Sequence, residues 1–404
     1  MYLLEKINLY LSKRKNVFSQ KFNDKMKQNR IIVLGCGLVG GPIAADLSKD
    51  RDFSVTVADI NEAALQKIAS SYDVKTLQAD LSNSKTVLET VRNFDFAINA
   101  VPGFMGFKTL KAIIEAGTDA VDIAFFPEDL FTLDDLAKEK NVTVISDMGV
   151  APGMSNLLTG YAANLLDKTE KVIIYVGGLP KVRVWPYEYK AVFSPVDVIE
   201  EYTRPARIVE NGKEVIKPAL SEPELLDFEG IGTLEAFNSD GLRSLIKTID
   251  APDMIEKTLR YPGHIEIMKI LRDTGFFDNK EIEVKGVKIK PIDFTAKLLF
   301  PKWKLKEGEE DITIMKIIVE GEKDGKHQKL TYDLLDSYDK ETKVHSMART
   351  TGYSATMALR MIAKGLYNRK GVSAPEFVGK CPECVNFMLE GLKERGVVYK
   401  ETIA

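Results

Sequence analysis

IIVLGCGLVGGPIAADL, residues 31–47, decides how the chain is read. Ile31–Leu34 is an apolar run of strand length, and after the glycines apolar residues return at helical spacing. Gly35, Gly37 and Gly40 match G-x-G-x-x-G in the strand–turn–helix setting that gives this otherwise weak pattern its meaning. The first glycine permits a tight turn and the second lets backbone approach a pyrophosphate. The third lets helix and strand pack closely, so the phosphates meet a positive helix N-terminus. Leu38 and Val39 sit inside the same turn and are counted with it as cofactor contacts.

The reading extends outward in both directions. FSVTVADIN places Asp59 at the end of a second strand, 24 positions after Gly35, where an acid accepts ribose hydroxyls and repels a 2′-phosphate. Such repulsion is about 4 kcal/mol at 4 Å and an intermediate dielectric. With no arginine directly after Asp59, NAD is the expected cofactor. VKTLQADLS ends near Asp80, assigned to the adenine edge. FDFAINAVPG is an almost wholly apolar fourth strand that breaks at Ala100, Val101 and Pro102, beside the expected nicotinamide. AVDIAF and VTVISDMG complete six strands, and Met154, just beyond, is placed among the cofactor contacts.

The predicted architecture is α/β: an N-terminal Rossmann dinucleotide-binding domain over 29–150, then an α+β substrate and dimerisation domain with a mostly antiparallel sheet over 151–346. Helices over 347–404 are expected to return to the first domain. Residues 1–28 are basic, with KRK at 13–15, and lack the apolar run of a signal peptide. They read as a dispensable extension or mis-assigned start, or else as a targeting or docking helix. A net charge of −3 gives no field for nucleic acid, and no stretch reaches the roughly 20 apolar residues of a membrane span. Three cysteines form no disulfide framework, so a cytoplasmic location is expected. CPEC at 381–384 has zinc-like spacing but no second pair, so no metal site is assigned.

D-x-G-V-A-P-G-M-S-N (147–156) and R-T-T-G-Y (349–353), together with the glycine turn, resemble the saccharopine dehydrogenase-like family. WPYEYKAVFS (185–194), EYTRPA (201–206), GTLEAFNSDGLRSL (232–245) and TLRYPGH (258–264) are similar to its lysine 6-dehydrogenase branch. The resemblance implies NAD-dependent oxidative deamination at the ε-carbon of L-lysine, giving an aldehyde that cyclises to a piperideine carboxylate. It also implies a homodimer formed through the second domain's sheet. Saccharopine dehydrogenase or a carboxynorspermidine dehydrogenase-like enzyme, acting on a secondary amine, is the alternative. A non-catalytic NAD-binding dimerisation protein is the reading from another class.

Hydride removal beside nitrogen needs a neutral amine, and lysine's ε-amine titrates near 10.4, so a base is sought. His264 is the first candidate, either as that base or as a loop hydrogen-bonder. Asp147 either orients the amine or caps the turn after it, and Asp240 is counted with them as catalytic. For the substrate's zwitterionic head, Arg243 and Arg204 are the candidate carboxylate forks. Arg204 is equally read as a partner of Glu200 or Glu201. Glu235 and Asp240 are candidate ammonium acceptors, or else merely pair with nearby charges. Tyr187 and Lys190 are expected to cover the site.

Overall fold

The computed structural model describes residues 28–190, 195–306 and 308–404; the basic leader through residue 27 lies outside them. Six strands of the first half form one parallel sheet: β1 (Asn29–Leu34), β2 (Phe53–Asp59), β3 (Lys75–Gln78), β4 (Phe96–Asn99), β5 (Asp119–Asp122) and β6 (Thr143–Ile145). Their order is β3-β2-β1-β4-β5-β6. Ile31–Leu34 are fully buried at its centre, because crossover helices cover both faces of a parallel sheet. The order of strand addition reverses between the parallel strands β1 and β4, which opens a crevice beyond their carboxyl ends. Helices α1 (Gly40–Leu47) and α2 (Gly103–Glu115) start at that crevice.

The second sheet is built from β7 (Lys168–Pro180), β8 (Ala206–Glu210), β9 (Lys213–Lys217), β10 (Glu224–Phe228), β11 (Gly232–Asn238) and β12 (Asp253–Arg260). β13 (Ile282–Val284) and β14 (Val287–Ile289) form a separate hairpin, and β15 (Asp311–Lys323) and β16 (Lys326–Ser337) return to the large sheet. Its pairings are antiparallel apart from β12 on β7, which is parallel. The carboxyl-terminal residues do more than the helices expected of them. β17 (Gly371–Ser373) extends the parallel sheet beside β6, and β18 (Tyr399–Ile403) pairs with β16.

Seven further helices matter for the site: α3 (Met154–Leu165), α4 (Pro195–Thr203), α5 (His264–Asp273), α6 (Pro291–Trp303), α7 (Ser346–Ala363), α8 (Pro375–Gly379) and α9 (Pro382–Glu394). The CPEC segment starts α9: Cys381 Sγ accepts from the Cys384 amide at 3.4 Å, and the Cys384 thiol points at the Leu366 carbonyl. Among the described residues no group of three metal-ligating side chains exists, and no helix is long and apolar enough to cross a membrane.

α7 ties the carboxyl-terminal half to the dinucleotide turn by packing on α1. At that contact the Asp46 carboxylate accepts from Arg360 at 2.6 Å, Arg395 at 2.9 Å and the Thr356 hydroxyl at 2.7 Å. Burial opposes ionisation of Asp46, but the two guanidinium groups outweigh it and hold the carboxyl below its ordinary range. Its stabilisation is therefore complete above the unfolded value near 3.9 and is lost as pH falls through the lower native value. Asp46→Asn leaves Arg395 without a carboxylate and Arg360 with Asp50 alone, and should cost about 3–5 kcal/mol in chemical denaturation at neutral pH. A loss under about 1 kcal/mol would show that the triad does not hold the two halves together.

Candidate functional site

A cavity of about 800 Å³ fills the crevice above the parallel sheet. Gly35, Gly37, Leu38, Val39 and Gly40 form one wall, Asp59 lies at one end, and Ala100, Val101 and Pro102 line it from β4. Gly35 has φ +106, and a Cβ on Gly40 would lie 2.1 Å from the Gly35 carbonyl oxygen, so the turn tolerates no side chain at either place. A Cβ on Gly37, by contrast, would meet nothing within 4 Å. That open backbone at the start of α1 fits a dinucleotide's pyrophosphate. Asp59 accepts from the Cys36 amide at 2.6 Å and the Asn61 amide at 2.7 Å, which fixes its carboxylate at the rim.

Two cofactor expectations fall elsewhere. Met154 is fully buried at the start of α3 and does not line the cavity. Asp80 is exposed and bonds Ser82 through amide and hydroxyl, which holds its carboxyl below its usual range. It too is absent from the cavity wall.

A second cavity, about 100 Å³, adjoins the first and shares Phe125, Val150, Ala151, Pro152 and Glu201 with it. Its floor is the second sheet and its flank is α4. Three ion pairs surround it: Arg204–Glu200 at 2.6 Å, Arg260–Glu201 at 2.5 Å and Arg207–Asp240 at 2.8 Å. Arg204 thus lines the small cavity and also makes the Glu200 pair. Asp240 lines it as well, but its two oxygens are held by the Arg207 fork, which leaves it poorly placed to take a substrate ammonium.

The fourth carboxyl, Glu256 on β12, is different. It is 3% exposed, and its Oε2 accepts from the Ser239 hydroxyl at 2.7 Å and the Gly241 amide at 3.0 Å. Burial pushes its carboxyl up to about 7, helped by the neighbouring charge of Glu201 and opposed by the Ser239 bond. Among the described residues no basic side chain pairs with it. Burial also raises Glu201, against the pull of Arg260.

Arg243 does not reach either cavity. It is buried, with its guanidinium on Asp147 at 3.0 Å and on the Phe126 carbonyl at 2.7 Å, over the Phe125 ring. Its donors bind the two domains together instead of reading a substrate carboxylate. Asp147 lines the large cavity from the other side of that pair. Glu235 accepts from the Gly263 amide at 3.0 Å, at the start of α5, and lines neither cavity although it sits opposite Arg260 in the sheet. Lys190 pairs with Glu309, and the Tyr187 ring lies edge-on to Trp303. Neither lines a cavity.

His264 is likewise enclosed. The donors order in one direction: Arg260 Nε to the Tyr202 hydroxyl at 3.2 Å, Tyr202 to His264 Nε2 at 2.9 Å, and His264 Nδ1 to the Tyr187 carbonyl at 2.7 Å. Burial, with the nearby Arg260 charge, lowers its pKa to about 3. A neutral imidazole with both nitrogens engaged ties the Tyr202 hydroxyl to the Tyr187 backbone and is unsuited to proton exchange at neutral pH.

Arg260, Ser239, Glu256 and Thr258 were not singled out from the sequence, and Glu201 was named only as an alternative partner of Arg204. The available signal was DMIEKTLR (253–260), where Glu256, Thr258 and Arg260 alternate along one face of a buried strand.

Residues 31–145 match the saccharopine dehydrogenase NADP binding domain, and 149–397 match the saccharopine dehydrogenase C-terminal domain. The chain is 23% identical to mitochondrial alpha-aminoadipic semialdehyde synthase of Mus musculus over 94% of its own length. It spans about half (48%) of that relative. It is 24% identical to saccharopine dehydrogenase [NADP(+), L-glutamate-forming] of Schizosaccharomyces pombe, covering 92% of this chain and 98% of that one. Carboxyaminopropylagmatine dehydrogenase of Synechocystis sp. is 23% identical, over 93% and 98% respectively. The fold matches apo saccharopine dehydrogenase (L-Glu forming) from Saccharomyces cerevisiae at a TM-score of 0.77, with 21% identity and 93% and 100% coverage.

The enclosed imidazole has a measurable consequence. The native pKa of His264 lies below the unfolded value near 6.5, so unfolding takes up a proton between those values. Its contribution to stability is intact above pH 6.5 and falls at up to about 1.4 kcal/mol per pH unit toward pH 3. His264→Gln should flatten stability against pH in that window in urea titrations while adding no new limb to the rate profile between pH 7 and 8. A rate limb near 6.5 that disappears with the substitution would instead assign His264 to proton transfer.

Proposed function

Because the chain belongs to the saccharopine dehydrogenase family, we propose that it is an NAD-dependent dehydrogenase oxidising the terminal C–N bond of a cationic amino acid, with L-lysine as the substrate and ammonia released. The observation that carries this reading is the charge balance of the small cavity. Glu200, Glu201, Asp240 and Glu256 line it against Arg204 and Arg260, with Arg207 closing the third pair from behind. An excess of carboxyl over guanidinium groups, carried by Glu256, favours a substrate of net positive charge and opposes one, such as saccharopine, that brings additional carboxylates.

When bound, the nicotinamide ring supplies the hydride acceptor. The chain's own groups do the rest. The backbone of Gly37–Gly40 cradles the pyrophosphate and Asp59 receives the adenosine ribose. Ala100–Pro102 line one side of the large cavity, and Glu201, common to both cavities, stands where the reacting carbon must pass. A carboxylate there, shared with Arg260, offsets part of the positive charge that develops on nitrogen as hydride leaves. Asp147 bears on the same region and is likewise paired, with Arg243. A homodimer formed through the second sheet, in a cytoplasmic setting, completes the reading.

NAD is preferred in this proposal on electrostatic grounds, since Lys304 is the basic side chain among the described residues lining the large cavity, and Asp59 holds the rim. The test is absorbance at 340 nm with NAD or NADP against lysine, saccharopine and carboxylated polyamines. Lysine-dependent NADH formation with stoichiometric ammonia is expected. Obligatory turnover of a secondary amine, with glutamate or a second amine as product, would replace lysine by the alternative substrate class. Asp59→Ala should reduce the NAD-over-NADP preference by roughly 100-fold or more, following a repulsion of several kcal/mol; an unchanged preference would remove Asp59 from the ribose.

A further inference from the structure

Glu201 borders both cavities, whereas Glu256 and Arg204 border only the smaller one, and Arg260, which also lines the smaller one, is held against Glu201 at 2.5 Å. A carbon that donates hydride must approach the nicotinamide to roughly 3–3.5 Å, so the reacting amine lies at the Glu201 end. Whatever charge the substrate carries at its other end then meets Glu256 and Arg204.

We propose that Glu256 is the specificity residue of this site: its free Oε1 receives the non-reacting α-ammonium of the substrate, while Arg204 takes the adjacent α-carboxylate. The proposal rests on the reaction inferred above and adds to it the substrate feature that is read. Four observations support it. Glu256 lacks a basic partner among the described residues, whereas the other three carboxyls of the cavity each have one. Its Oε2 is fixed by Ser239 and Gly241, and Ser239 is itself 2.7 Å from the Thr258 hydroxyl, so the group is oriented before a ligand arrives. No described residue donates to Oε1. Gly241 is what makes room for the carboxyl in this position, since a Cβ there would lie 2.4 Å from the Glu256 carboxyl carbon.

An oriented, buried carboxylate with one open oxygen is a costly arrangement for stability alone, and an ammonium is the group that relieves it. A substrate with the same chain and reacting amine but no α-ammonium leaves that oxygen unpaired. The arrangement therefore selects an α-amino acid carrying a distal amine over an ω-amino acid of the same length.

The experiment compares kcat/KM for L-lysine and for 6-aminohexanoate, with NAD saturating, in the wild-type chain and in Glu256→Gln. The wild type should prefer lysine by roughly 100-fold, the range of a hydrogen bond to a charged group. In Glu256→Gln the preference should collapse to under about tenfold through a higher KM for lysine, with kcat, NAD affinity and Tm held. Equal losses on both substrates, or a loss confined to kcat, would overturn the assignment. A second readout needs no variant. The preference for lysine in wild-type kcat/KM should decline as pH falls below about 7, where the Glu256 carboxyl gains its proton; Glu201 on α4, Asp240 after β11 and Arg260 on β12 are the charged groups facing it. A preference flat from pH 5.5 to 8 would overturn it as well. A chain that binds NAD yet oxidises neither amine would defeat the reaction itself, and this inference with it.

Discussion

The buried pair between Arg243 and Asp147 is the constraint on which the site depends. One partner follows β11 and the other follows β6, so a single interaction fixes the second sheet against the carboxyl edge of the first. Both residues have positive φ, +53 and +57, and neither is a glycine. The backbone is held in a region that side chains disfavour, which is sustained only where surrounding contacts over-determine it. The second Arg243 donor reaches the Phe126 carbonyl, and the ring of Phe125 lies beneath the guanidinium. Phe125 in turn is a wall of both cavities. Removing either partner would leave a charge buried without compensation, which costs far more than the pair contributes in net terms. The latch thus sets the distance between the dinucleotide cradle and the acidic pocket.

Electrostatics then separates residues that merely look alike. Each of Glu200, Glu201 and Asp240 is matched by an arginine within about 3 Å. Those pairs shape the pocket and orient the guanidinium groups. Glu256 is held by neutral donors, so its charge is left to be balanced by whatever enters. Asp122 shows the same physics in the first domain. Burial, then the proximity of Asp147, pushes its carboxyl up to about 7, and Asn99, Ser146 and the Ala124 amide satisfy it internally. Asp122 is absent from both cavity walls, which leaves it a structural role.

The dinucleotide half was legible because its signals are local. Gly35, Gly37, Gly40 and Asp59 owe their positions to one turn and two adjacent strands, and Ala100–Pro102 to the end of a third. The second half was legible as elements but not as a site. Arg243 and Asp240 looked like recognition groups because they are charged and close in sequence, yet each meets its partner across a long separation, Asp147 and Arg207 respectively. His264 drew notice as a rare, titratable residue, and its environment, supplied by Tyr187, Tyr202 and Arg260, removed the property that made it attractive. Glu256 passed unnoticed inside a buried strand whose other charged residues drew no more attention.

What the sequence determined unaided is the parallel sheet, the glycine turn, the acid at the end of β2 and the change to a second kind of domain after Asp147. Glycine geometry, apolar runs and period-two alternation are properties of neighbouring residues, and they act wherever the chain goes. Which carboxyl stands paired and which stands open was decided by tertiary structure alone. A side chain's charge state and free valence depend on groups brought beside it from distant strands and helices, and on how completely those groups exclude water.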